Sequence, residues 1–161
     1  MLKGVELRDY QQQILDELSC VPSIGLFMKT GSGKTITSLA RFTQNPTDNL
    51  LVICPQKIVT QWIDVIKEHT DLQPCEYNLS WSASKKDGVI NNYLLDDYKP
   101  SKCVVVNFDI ITKMSWDWAI DDNWTIIIDE SHKIKNIGTK RSPVKITQKV
   151  LELGELTPYK I

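Results

Sequence analysis

The sequence contains little glycine or proline and has no long apolar run. Its 161 residues include seven glycines and seven prolines, below the average share of roughly 12%, which argues against flexible linkers. The longest apolar runs, such as residues 50–54, fall far short of the ~18 residues of a membrane-spanning helix. Residues 1–10 are charged and lack the apolar core of a secretory signal. We therefore expect one cytoplasmic domain without a membrane segment, covering residues 1–161.

The sequence also lacks excess charge and paired cysteines. Its 19 Lys and Arg residues nearly balance its 20 Asp and Glu residues, for a net charge of -1. A dedicated nucleic-acid module is usually basic, so any contact with a polyanion must come from a local patch. The cysteines at positions 20, 54, 75 and 103 have no zinc-ligand or redox spacing. They are expected to be reduced thiols of an intracellular protein.

Apolar spacing predicts alternating helices and strands. Helical periodicity occurs over residues 7–18, 35–43, 57–69, 89–98 and 144–153, and strand-like runs over 24–28, 50–54, 75–81, 102–108 and 124–129. Several of these strands are continuously apolar and are separated by helices, which is typical of a parallel sheet covered on both faces. The sequence therefore predicts an α/β sandwich.

Residues 28–35 have the sequence M-K-T-G-S-G-K-T between a predicted strand and a predicted helix. Gly33, Lys34 and Thr35 match the end of the phosphate-loop pattern, although Met28 occupies its first glycine position. Gly31 and Gly33 let backbone N–H groups turn toward a phosphate. Lys34 would bridge two phosphates, and the Thr35 hydroxyl would bind Mg²⁺. The alternative is a glycine turn capped by threonine. The predicted nucleotide contacts in this loop are Thr30, Gly31, Ser32, Gly33, Lys34 and Thr35.

A second polar motif, Asp129-Glu130-Ser131-His132, follows the apolar run ending at residue 128. An aspartate at the end of a buried strand is placed to hold Mg²⁺ beside a phosphate loop. We predict this role for Asp129, and we predict that Glu130 is the general base that accepts a proton from water. His132 would sense the γ-phosphate or contact a neighbouring motif. The alternative is an ordinary helix start, where such residues are also favoured.

Together these two motifs resemble the first RecA-like lobe of a superfamily-two helicase. Residues 7–11, L-R-D-Y-Q, are similar to the adenine-recognition motif that precedes the phosphate loop in that superfamily. Gln11 matches its glutamine, whose amide can pair with adenine N6 and N7. Alone, Gln11 could equally be a solvated helix residue. The resemblance implies a RecA-like P-loop NTPase fold, a three-layer sandwich with a mostly parallel sheet, and ATP with Mg²⁺ as ligands.

Further motifs resemble the Swi/Snf-like branch of that superfamily. They are residues 51–55, L-V-I-C-P, followed by Gln61-Trp62, then Asn107-Phe108, and the stretch D-E-S-H-K-I-K-N at 129–136. The resemblance covers residues 7 to about 141. His132 is shared with DEAH-type helicases. Relatives continue with a third motif and a second lobe, which supplies the arginines that complete hydrolysis. The resemblance thus implies a first lobe that, alone, binds nucleotide weakly and turns over little.

Basic residues concentrate near the carboxyl end of the sequence. Between positions 133 and 149 there are six lysines and arginines and no acidic residue, which predicts a local stripe for phosphate contacts. The alternative is a solvated surface. The resemblance also implies contacts with the nucleic-acid backbone near Lys57 and Asn107. We expect Trp116 and Trp118 to pack against the protein core or surface rather than to stack on nucleic-acid bases. The candidate nucleic-acid residues are Lys57, Asn107, Lys135, Lys140 and Arg141.

The resemblance implies the ATP-binding lobe of a Swi/Snf-like DNA translocase or helicase. Its partners would be duplex DNA and the second lobe. Two alternatives stay open at this point. One is a DEAH-type RNA helicase lobe, which would be stimulated by RNA. The other is a non-hydrolysing, nucleotide-gated binding module, whose function would not depend on Glu130.

Overall fold

A computed structural model describes residues 2–29, 31–116, 118–136, 138–139 and 142–161. The helices are α1 (Asp9–Glu17), α2 (Lys34–Phe42), α3 (Val59–His69), α4 (Ala83–Leu94), α5 (Phe108–Ile111) and α6 (Lys145–Leu156). The strands are β1 (Asn49–Cys54), β2 (Cys103–Asn107), β3 (Trp124–Ile128), β4 (Gly138–Thr139), β5 (Ser142–Pro143) and β6 (Tyr159–Lys160). The predicted site residues Thr30, Lys140 and Arg141 lie outside the described residues.

The central sheet has the strand order β2-β1-β3-β6, and every pair in it is parallel. β1 lies between β2 and β3, so Val52 pairs with Val105 on one side and Ile127 on the other. These strands are buried along almost their whole length, as expected for a sheet covered on both faces. The register also brings the carboxyl ends of β1, β2 and β3 to one edge of the sheet.

Helices cover both faces of the sheet. Successive strand residues point to opposite faces, so Leu51 and Ile53 join a core with α4, α5 and α6. Leu50 and Val52 instead join a second core, formed with α2 and α3. The predicted three-layer α/β sandwich is therefore confirmed. Trp116 is fully buried in the first of these cores, whereas Trp118 is half-exposed.

Two predicted strands and one predicted helix boundary were wrong. Residues 24–28 form no strand. Ser23 makes one parallel bridge to Lys160. This bridge lies at the end of β6, which is two residues long. Residues 75–81 also form no strand. There the Cys75 N–H donates to the Cys103 carbonyl (2.8 Å) and the Tyr77 hydroxyl donates to the Val105 carbonyl (2.9 Å), so single hydrogen bonds join this segment to β2 where a strand would form a ladder. The helix predicted to start at residue 89 begins at Ala83, after a Ser82 cap.

The four cysteines are free, and three of them are buried: Cys54, Cys75 and Cys103. Cys20 is exposed. Within the described part of the chain, no helix combines the length and the apolar character that crossing a membrane requires.

Candidate nucleotide site

A cavity of about 460 Å³ lies at the carboxyl edge of the sheet. Lys34 and Thr35 line it from the amino end of α2, and Asp129, Glu130 and His132 line it from the segment that follows β3. The two motifs are distant in the sequence but share this cavity because β3 ends beside the loop that precedes α2. The carboxyl edge of a parallel sheet is where such folds bind ligands.

The phosphate loop depends on two glycines with left-handed backbones. Gly31 has φ = 78° and Gly33 has φ = 80°, a region that residues with a Cβ rarely adopt. Gly33 is also the N-cap of α2, so the positive end of that helix faces the cavity. Lys34 Nζ donates to the Met28 carbonyl at 2.8 Å. The ammonium group therefore lies across the loop that would enclose a phosphate.

Gln11 on α1 forms hydrogen bonds next to this loop. Its Oε1 accepts from the Arg8 backbone N–H (3.0 Å), and its Nε2 donates to Thr37 Oγ1 (3.0 Å) on α2. Gln11 is only 5% exposed, so the predicted pairing with adenine would require its amide to exchange these partners. Tyr10, for which the sequence predicted no individual role, donates its hydroxyl to the Ser32 carbonyl (2.6 Å). The start of α1 therefore fixes the phosphate loop directly.

Asp129 is held by both its backbone and its side chain. Its N–H donates to the Ile53 carbonyl at 2.9 Å, which continues the alignment of β3 with β1. Its Oδ2 accepts from the indole Nε1–H of Trp62 on α3, also at 2.9 Å. In the sequence Trp62 matched a family motif but had no predicted role. Its contact with Asp129 depends on how α3 packs, which local spacing does not reveal.

Glu130 has a strained backbone. Its φ of 60° and ψ of 46° place it in the left-handed region, and it is the sole described residue other than glycine with a positive φ. Such conformations are costly for a residue with a long side chain and cluster at functional sites. His132 Nδ1 lies 2.9 Å from Glu130 Oε2. Because both side chains are about half-exposed, the carboxylate stays accessible from the cavity.

The oxygen donors at the cavity suit a hard divalent cation. The Thr35 hydroxyl and the Asp129 carboxylate line the same space, and Mg²⁺ prefers oxygen ligands. Among the described residues, no group of three or more His, Cys, Asp and Glu side chains could enclose a metal ion. Mg²⁺ typically keeps several waters and is held by one or two protein groups together with substrate phosphates. The residues present therefore fit a metal that arrives with a nucleotide.

The family model "ResIII: Type III restriction enzyme, res subunit" matches residues 4–154. The chain belongs to the ResIII family. It is also 23% identical over 138 residues to an Arabidopsis thaliana protein, "Putative SWI/SNF-related matrix-associated actin-dependent regulator of chromatin subfamily A member 3-like 1". That match covers 72% of this ResIII chain and 14% of the plant protein.

Two solved structures share the fold of this ResIII chain. The Sulfolobus solfataricus SWI2/SNF2 ATPase core in complex with dsDNA matches with a TM-score of 0.71 and 22% identity, over 98% of this chain and 31% of that one. A nuclease-deletion mutant of the Type ISP restriction-modification enzyme LlaGI, bound to a DNA substrate mimic, matches with a TM-score of 0.64 and 18% identity, over 97% of this chain and 17% of that one. The predicted resemblance to the first lobe of Swi/Snf-like superfamily-two helicases is confirmed, and so is its RecA-like fold.

The candidate nucleic-acid residues of this ResIII chain occupy different environments. Lys57 lies in the exposed turn Gln56–Ile58 after β1. Lys135 is exposed and lines the nucleotide cavity. Asn107 is 5% exposed, and its Oδ1 accepts from the Ile110 N–H (3.0 Å) as the N-cap of α5. Our prediction that Asn107 contacts nucleic acid stays a prediction, and the structure adds a capping role.

Proposed function

We propose that this ResIII chain is the ATP-binding first lobe of a Swi/Snf-like DNA translocase or helicase. In this proposal the chain forms one RecA-like lobe, and ATP hydrolysis requires a second. The observation that supports the proposal most directly is the shared cavity, where Lys34 and Thr35 face Asp129 and Glu130. The chain spans 14% of its plant relative and 31% of the Sulfolobus structure, so the activity of the whole protein is part of the proposal.

Each residue has a distinct task in the proposed reaction. Gly31 and Gly33 allow backbone N–H groups to surround the phosphates, and Lys34 bridges the β- and γ-phosphates. Thr35 and Asp129 hold Mg²⁺, which supplies neutralisation of the charge that develops on the transferring phosphoryl group. Glu130 accepts the proton of the attacking water. In the structure Glu130 Oε2 contacts His132 Nδ1, and the second carboxylate oxygen can accept the proton.

Duplex DNA is the nucleic acid along which we propose that the whole protein moves. Both structural neighbours contain DNA: dsDNA for the Sulfolobus ATPase core and a DNA substrate mimic for LlaGI. The exposed Lys57 is a candidate contact, because it follows β1 at the carboxyl edge of the sheet. Lys140 and Arg141 remain candidates from the sequence. Neutralising phosphates with lysine and arginine would make the binding dependent on salt.

Nucleotide binding by the 161-residue protein tests the phosphate loop. Lys34→Ala should weaken the affinity for Mg-ATP by roughly 10- to 100-fold, because charge-assisted hydrogen bonds to the phosphates are lost. Lys29→Ala is the matched control, since Lys29 is an exposed lysine in the same loop. Isothermal titration calorimetry measures both affinities. If Lys34→Ala binds as tightly as the wild type, the phosphate-loop assignment is wrong.

Turnover by a protein that carries both lobes tests the reaction and its track. Glu130→Gln should retain Mg-ATP binding and lower the ATPase rate by roughly 10²- to 10⁴-fold, the usual contribution of a general base. The rate is measured without nucleic acid and with duplex DNA, single-stranded DNA or RNA. Stimulation by RNA alone would favour a DEAH-type RNA helicase. Full biological function of Glu130→Gln would favour a non-hydrolysing module.

A further inference from the structure

A buried tryptophan reaches the nucleotide cavity from the core. Trp62 is 2% exposed and packs in the apolar core formed with α2 and α3. The edge of its indole nevertheless lines the cavity, and its Nε1–H donates to Asp129 Oδ2 at 2.9 Å. The hydrogen bond therefore connects the core beneath the sheet to the first residue after β3.

This hydrogen bond restricts a carboxylate that would otherwise rotate. The backbone of Asp129 is already fixed by its bond to Ile53, but that bond leaves the side-chain torsions free. An indole N–H is a donor only, and packing holds the Trp62 ring in one place. A fixed donor on Oδ2 selects one orientation of the carboxylate.

We propose that Trp62 is a positioning residue that orients Asp129 toward the divalent cation bound with the nucleotide. This inference rests on the proposed function, because it assigns the cation to Asp129. In this proposal Trp62 acts through Asp129, to which it donates its hydrogen bond. Donors that hold metal ligands typically change metal affinity by roughly 10- to 100-fold when they are removed. The effect should therefore appear in the metal dependence of nucleotide binding.

A matched pair of tryptophan variants separates hydrogen bonding from packing. Trp62→Phe removes the N–H and keeps an aromatic ring. Trp116→Phe is the control, because Trp116 is also buried and its Nε1 has no hydrogen-bond partner among the described residues. The affinity for ADP is measured in the 161-residue protein with excess Mg²⁺ and with EDTA. The affinity with Mg²⁺ divided by the affinity in EDTA is called the magnesium advantage.

The magnesium advantage should fall about tenfold in Trp62→Phe, at the lower end of the range for such donors. Affinity for ADP in EDTA should stay unchanged, and Trp116→Phe should match the wild type under both conditions. In an Asp129→Asn background the Trp62→Phe change should have no further effect, because the two residues act as one unit. An unchanged magnesium advantage in Trp62→Phe would overturn the positioning role and leave the proposed function intact. Absence of nucleotide binding by the wild type would overturn both.

Indole resonances give a readout that does not require the Trp62 variant to fold. The five tryptophans give separate ¹H–¹⁵N indole signals. The signal that shifts in Asp129→Asn identifies the indole that contacts this carboxylate. The same signal should shift when Mg²⁺ is added to the ADP complex of the wild type. If Mg²⁺ leaves that signal in place, or if Asp129→Asn shifts none of the indole signals, the proposal is wrong.

Discussion

At the scale of single residues, two backbone conformations shape the candidate nucleotide site. Gly33 has φ = 80°, and an added Cβ would lie 2.7 Å from Gln11 Nε2. Glu130 adopts a left-handed conformation despite its side chain. The phosphate-loop pattern predicts the glycines, since only they accept such angles at low cost. Nothing in the sequence marks the strain at Glu130, because its conformation depends on the structure around it.

Gly33→Ala should destabilise the protein by about 1–3 kcal/mol, because it combines a strained φ with a displaced Gln11 amide. Gly88→Ala is the control. Gly88 lies within α4, where an added Cβ meets no atom within 4 Å, so alanine should stabilise by about 0.5–1 kcal/mol. Urea denaturation measures both changes in the free energy of unfolding. Equal effects of the two substitutions would contradict this account of the loop.

At the scale of elements, hydrogen bonds that cap a helix or join a helix to a loop engage polar side chains that could otherwise bind ligands. Asn107 caps α5, and Gln11 joins α1 to the phosphate loop. Both were predicted to bind ligands because their positions match family motifs. Both predictions stand, and the structure adds that each amide has hydrogen-bond partners inside the protein. A sequence motif gives the position of such an amide, whereas the packing of neighbouring helices and loops selects its partners.

Asn107→Ala should lower the free energy of unfolding by about 1–2 kcal/mol, since it removes the N-cap of α5. Asn107→Asp should retain most of the stability, because aspartate caps helices as well as asparagine does. If capping is its main role, Asn107→Asp should also leave DNA affinity of the two-lobe protein nearly unchanged. A large loss of DNA affinity at unchanged stability would instead support the predicted contact of Asn107 with nucleic acid.

At the scale of the whole molecule, the two apolar cores bury thiols that resist ionisation. Burial raises the pKa of Cys75 from 9.0 to about 11, and a nearby glutamate adds to the rise while Lys99 opposes it. Burial also raises the pKa of the Cys103 thiol. In the unfolded chain both thiols ionise near their ordinary pKa of 9.0. The folded state therefore binds more protons than the unfolded state above that pH.

The free energy of unfolding should consequently fall as the pH rises above about 9. A group whose pKa is raised by folding contributes its full stability at pH values below the pKa it has in the unfolded chain. Above that pH, each buried thiol lowers the free energy of unfolding by at most about 1.4 kcal/mol per pH unit. Urea denaturation from pH 7 to 10.5 measures this slope. Cys75→Ala should reduce this slope, to which Cys103 still contributes, whereas Cys20→Ala should leave it unchanged, because Cys20 is exposed. An equal slope in Cys75→Ala would contradict the account.

The sequence alone determined the central strands β1, β2 and β3, the helices that cover them and the position of Asp129 at a strand end. These features follow from local spacing: continuous apolar runs such as residues 104–106 form buried strands, and the glycines of residues 31–33 form a turn. The predicted strand at 24–28 did not form, and pairing with β6 is limited to the bridge between Ser23 and Lys160.

Only the tertiary structure decided how the site is oriented. The Trp62–Asp129 hydrogen bond joins residues from a helix and a strand end far apart in the chain. The Gln11 amide is likewise engaged by α2 across a helix–helix contact. Such contacts depend on side-chain directions after packing, and many sequences with the same apolar spacing would lack them. Spacing therefore places a residue near the site, whereas packing determines what its polar atoms bind.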